Sequence, residues 1–83
     1  MVDSESTDQV HRILDCIGLY CPAPVLKTRQ EIDKLAIGGV LEVWADDPAA
    51  KEDLKAWAKR SGQKILAIEK TKEGMRFLIK KEK

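Results

Sequence analysis

Hydrophobic and polar residues fall into six blocks along this chain. His11 to Cys16, carrying Ile13 and Leu14, reads as a first strand, which Asp15 and Gly18 bring to an end. From Pro24 to Ala36 the apolar positions are Val25, Ile32, Leu35 and Ala36, with Thr28 or the stem of Arg29 between them. Lys27, Gln30, Glu31, Asp33 and Lys34 fall outside that stripe, so the spacing predicts an amphipathic helix. Gly38-Gly39 stops it. Val40 to Ala45 predicts a strand with Leu41 and Val43 toward the core and Glu42 and Trp44 on the other face. Asp46-Asp47-Pro48 reads as a second helix start, with Asp47 as N-cap and Pro48 as the first helical residue. That helix is expected to run to about Ser61 and to end on Gly62. Ala50, Leu54, Trp57, Ala58 and Ser61 form its stripe, and Lys51, Glu52, Asp53, Lys55, Lys59 and Arg60 its wet face. Lys64 to Lys70 and Met75 to Lys80 predict two further strands, with Lys72-Glu73-Gly74 as the turn of a hairpin.

The order β-α-β-α-β-β places the chain in the α/β (α+β) class. Right-handed crossovers taken in one spatial sense put both helices on the same face of the sheet. The expectation is a two-layer sandwich: a four-stranded mixed sheet with two helices packed on one face. Residues 1–9, rich in Ser, Asp, Glu and Thr, read as a flexible tail, and residues 10–83 as a single domain. With 83 residues there is no space for a deep closed active site.

Composition narrows the function classes. Net charge is +1, from 15 basic and 14 acidic residues, which gives no global drive toward nucleic acid or anionic membrane. No apolar stretch approaches the roughly 20 residues that span a bilayer. The polar, acidic start does not read as a signal peptide, and two cysteines are not a disulfide framework. A reducing cytoplasm, where a free thiol persists, is the expected compartment.

The candidate chemistry lies in Gly18-Leu19-Tyr20-Cys21-Pro22-Ala23-Pro24-Val25. Proline is tolerated in the first turn of a helix, so Cys21 is placed just before a helix N-terminus. The helix dipole there favours a thiolate, the reactive form. Pro22 and Pro24 stiffen the loop, yet each removes an amide, leaving Ala23 and Val25 as the nearby donors. The balance predicts a modestly lowered pKa for Cys21; a value at or above the roughly 8.5 of free cysteine would count against it. Asp15 and Gly18 are expected to set the turn before the thiol. Asp46, Asp47 and Pro48 are expected to cap and fix the second helix start. Cys16 reads as a packed strand residue and His11 as a surface residue. Two thiols and one imidazole also fall short of the four ligands of a structural zinc site. Lys27, Arg29, Lys55, Lys59 and Arg76 are candidates for cationic surface around Cys21 that would dock an acidic partner patch.

Leu14-Asp15, Gly18-Leu19, Cys21-Pro22-Ala23-Pro24-Val25 and Asp46-Asp47-Pro48 together resemble the TusA (SirA-like) family of sulfur carriers, over about residues 11 to 81. The resemblance implies a two-layer sandwich of four strands and two helices. It implies that Cys21 carries sulfur as a persulfide or a thiosulfonate, with no cofactor beyond that covalent sulfur. It implies cysteine desulfurases, rhodaneses or DsrE-type proteins as partners, in tRNA thiolation, cofactor biosynthesis or sulfur oxidation. Gln63 stands where certain relatives have a histidine, and Ala58 where some have a second cysteine, so those roles are not carried over. The expected activity is a monomeric carrier that works within a sulfurtransferase relay and does not turn over a small substrate alone. Two rivals stand beside it. One is a thiol–disulfide redox protein using Cys16 and Cys21. The other is a regulatory or RNA-binding module, against which the balanced charge weighs.

Overall fold

A computed structural model describes residues 10–83, and the expected tail over 1–9 lies outside the described residues. The order is β1 (Arg12–Cys16), α1 (Ala23–Asp33), β2 (Val40–Ala45), α2 (Ala50–Ser61), β3 (Lys64–Thr71) and β4 (Gly74–Lys80). The strands form one sheet in the order β1-β2-β4-β3. β1 and β2 are parallel, and β4 runs antiparallel to both β2 and β3. The sheet is therefore mixed, as expected. Both crossovers step across it in the same sense, which puts both helices on one face.

Strand alternation sorts the core. Leu41, Val43 and Ala45 lie opposite Ile79, Phe77 and Met75, and these residues face the helices. Ile32 of α1 and Leu54, Trp57 and Ala58 of α2 close over them. Cys16, at the end of β1, is fully buried in this layer, the packed strand residue the sequence implied. Burial lifts its thiol above the ordinary cysteine range, partly offset by the charge of Lys27.

Two helix boundaries differ from the sequence reading. α1 ends at Asp33, three residues before Ala36. There the backbone tightens into three-residue bonds, Lys34 N–H to Glu31 O and Leu35 N–H to Ile32 O. The segment then meets the end of β4, where Lys81 Nζ donates to Leu35 O and Gly38 N–H to Lys81 O. Of the two alternatives for the α1 stripe, Thr28 is buried and Arg29 is exposed. α2 begins at Ala50, not Pro48, and Asp47 is not its N-cap. Ala50 N–H bonds Asp47 O, so Pro48 lies in a turn ahead of the helix. The C-cap reading holds: Gly62 takes the left-handed conformation and bonds back to Ala58 O.

On the opposite face, Glu42, Trp44 and Arg76 lie side by side. Arg76 donates to Glu42 and Glu69, both at 2.9 Å, and Trp44 Nε1 donates to Glu42. Burial alone would raise the Glu42 carboxyl, but the Arg76 and Trp44 hydrogen bonds outweigh it and hold it below its ordinary value.

Candidate functional site

Parallel pairing decides where the candidate residues meet. Because β1 and β2 run the same way, the loops at their carboxyl ends emerge at one edge of the sheet, and both helices start there. The first loop carries Cys21 and the second carries Asp46 and Asp47. Two segments nearly thirty residues apart in the chain are thereby set side by side.

Hydrogen bonds weld them. Asp15 Oδ1 accepts from Ile17 N–H at 2.9 Å and closes the turn after β1. Asp46 Oδ1 accepts from Gly18 N–H at 2.9 Å. Asp47 Oδ2 accepts from Cys21 N–H at 2.7 Å, while its Oδ1 accepts from Ala49 N–H at 3.1 Å. Asp47 thus serves the thiol loop and the turn before α2 together, which is why it does not cap the helix. Gly18 has a φ of 86°, a left-handed conformation that a side chain would strain.

The Cys21–Pro22 peptide bond is cis, Pro22 is the N-cap of α1, and Pro24 is buried in the core. Ala23 N–H, one of the two donors expected near the sulfur, is taken by Tyr20 O at 2.8 Å. Cys21 is an exposed free thiol; Tyr20, its neighbour in sequence, is 75% exposed, and Leu26, in the first turn of α1, is 50% exposed.

The thiol's acidity is the main correction. The structure raises Cys21 above the ordinary cysteine value instead of lowering it. The largest cause is the Asp53 carboxylate of α2, whose influence favours the protonated thiol. Partial desolvation and the negative charges of Asp53 and Asp47 add to it. The helix dipole acts over only the first turn and does not outweigh these carboxylates. Asp53 was read as part of the wet face of α2. One signal could have found it: it lies three residues after Ala50 and four before Trp57, at the margin of the buried stripe.

The expected cationic surface does not gather at the thiol. Arg76 is tied into the ion pairs on the open sheet face. Lys55 and Lys59 line a groove between α2 and β3 with Gln63, Lys64 and Ile65, and Cys21 is outside it. Lys27 acts on Cys16, and Arg29 is exposed on α1. His11 is exposed, yet its Nδ1 accepts from Val40 N–H at 3.0 Å and helps fix the β1–β2 register. No group of three or more potential metal ligands occurs among the described residues, nor any helix long and apolar enough to cross a membrane.

Comparison with known proteins agrees with this architecture. A protein of Archaeoglobus fulgidus, called a sulfur carrier protein, is 43% identical over 81% of this chain and 88% of its own. The sulfur carrier protein TusA of Allochromatium vinosum is 37% identical over 82% of this chain and 90% of its own. The crystal structure of a SirA-like protein from Desulfitobacterium hafniense shares the fold, with a TM-score of 0.72 at 23% identity over 83% of this chain and 93% of that one. The model of the family described as sulfurtransferase TusA matches residues 12–81, and the chain belongs to that family of sulfur carriers.

Proposed function

We propose that this chain relays sulfur as a persulfide on Cys21, taking it from a donor protein and handing it to an acceptor. The observation that carries the reading is the placement of Cys21: an exposed thiol whose backbone is fixed by Asp47, with exposed Tyr20 before it in the loop and exposed Leu26 in the first turn of the helix that follows. Such a sulfur can enter a partner's cleft, and Tyr20 and Leu26 supply apolar contact around it. Among the described residues the charges acting on the thiol are the Asp53 and Asp47 carboxylates, which oppose the thiolate, so on this reading the partner supplies the activation. A cysteine desulfurase, a rhodanese or a DsrE-type protein fits the donor role, by the logic of thiol exchange. The carrier acts as a monomer in a reducing cytoplasm. Its acceptors lie in tRNA thiolation, cofactor biosynthesis or sulfur oxidation, and thiosulfonate is the alternative cargo.

The test is to mix the reduced protein with a competent cysteine desulfurase and cysteine, then record the intact mass. The wild type should gain one sulfur atom, and Cys21→Ser should gain none. No gain in the wild type, or a gain that survives Cys21→Ser, would sink the reading. An intramolecular disulfide between Cys16 and Cys21 in place of a sulfur adduct would favour redox chemistry.

A further inference from the structure

Lys55 and Lys59 lie away from the thiol and belong to a surface of their own. β3 is an edge strand, paired with β4 on one side only. Among the described residues, no hydrogen bond outside the β3–β4 ladder reaches the backbone of Lys64–Thr71. Alternate residues of such a strand turn their N–H and C=O groups outward, a ready row of donors and acceptors for an added strand. The bulge between Ile65 and Ala67 interrupts that row, and residues 67–71 keep a regular register with β4.

A groove of about 650 Å³ runs between this strand and α2. Ile65, Leu66 and Ile68 line it and are only half-buried, so apolar surface stays open there. Lys55 and Lys59 lie one turn apart on the exposed side of α2, and Lys64 starts β3. All three lysines line the groove, and no carboxylate does. The ion pairs among the described residues use none of the three.

We propose that this groove docks an extended, acidic segment of a partner protein, which joins the sheet as a fifth strand beside β3. Backbone bonds to the β3 edge supply affinity, and the groove supplies selection. Apolar side chains of the segment cover Ile65, Leu66 and Ile68, and its carboxylates meet Lys55, Lys59 and Lys64. A second copy of this chain does not fit, because it would bring the same lysines against themselves. Cys21 is not part of the groove, so the site stands or falls independently of the relay reading, which sulfur loading tests.

The experiment is a fluorescence-anisotropy titration with a labelled peptide of alternating glutamate and valine, matched to the eight residues of β3. The full chain is compared with Lys55→Gln plus Lys59→Gln, with Lys55→Glu plus Lys59→Glu, and with Lys72→Glu, an exposed lysine outside the groove. Circular dichroism confirms folding of each. The glutamine pair should weaken binding by about threefold and the glutamate pair by about tenfold or more, while Lys72→Glu stays within about twofold. Raising salt to about 0.5 M should also weaken it. Amide exchange of the complex should slow outward N–H groups within residues 67–71 by about tenfold or more. The proposal is overturned by no binding to the wild type, by equal affinity in the glutamate pair, by equal binding of a lysine–valine peptide, or by binding without protection along β3. Concentration-dependent sedimentation that the glutamate pair abolishes would assign the groove to a second copy and overturn it too.

Discussion

Gly18 and Gly74 border the thiol loop for different physical reasons, and substitution separates them. Gly18 has a φ of 86° with nothing within 4 Å of where a Cβ would lie. Gly18→Ala therefore meets only the backbone cost of a left-handed residue, about 1–2 kcal/mol. Gly74 has a φ of 135°, and a Cβ there would lie 2.9 Å from both Ala45 O and Ile17 Cδ1. Gly74→Ala adds a clash with backbone to the strain and should cost on the order of 3 kcal/mol. Urea unfolding of the two variants checks the difference; equal losses would show that the close approach is not felt. The same contrast marks what a sequence discloses at this scale. Gly18 and Cys21-Pro-Ala-Pro are local signals, because turn and helix-start chemistry act between near neighbours. The approach of Gly74 to Ile17 and the influence of Asp53 on Cys21 join segments more than thirty residues apart. The expected thiolate failed for the same reason. Its helix N-terminus is local, whereas the carboxylates that oppose it come from β2's loop and α2.

At the scale of elements, alternation and helical spacing located all six, because each buries one side. Their ends were less legible. α1 stops where its last carbonyls meet Lys81, and α2 starts late because Asp47 bonds Cys21, and both causes are tertiary. Arg76 shows the same limit. Its charge was visible, but its partners on β2 and β3 were set by register. That cluster makes a test with a definite sign. Glu42 is held below its ordinary value, so it stabilises the fold above the unfolded carboxylate's titration and loses that contribution as pH falls through the lower folded value. In Arg76→Met the desolvation of Glu42 prevails and its carboxyl rises above the unfolded value. Its contribution is then present at low pH and lost as pH rises. The variant should lose on the order of 2 kcal/mol at pH 7, less than a fully buried pair because both side chains keep some exposure, and less at pH 4. Thermal melts between pH 3.5 and 7 check this; a loss that does not shrink toward pH 4 would contradict it.

For the whole molecule, the site and the core are one cooperative structure. The thiol loop has no framework of its own. It is held at the carboxyl ends of β1 and β2, and β2 is held by β4. Phe77 sits on β4 opposite Val43 and Ile68, fully buried beneath both helices. A domain this small has a total stability of about 4–12 kcal/mol. Phe77→Ala removes a large core side chain at a cost of about 3–5 kcal/mol, since the facing strands cannot close the gap. The denaturation midpoint should fall by about a quarter or more, and sulfur acceptance at 37 °C should fall with it, although no atom near Cys21 has changed. Arg29→Ala, on the exposed side of α1, should stay within about 0.5 kcal/mol of the wild type. Cys21→Ser should keep full stability while losing sulfur acceptance. Urea titration and intact-mass loading on the three variants separate the two properties. If Phe77→Ala kept its loading while losing its cooperative transition, the loop would have to be ordered independently of the core, contrary to the parallel pairing that sets Cys21 beside Asp47.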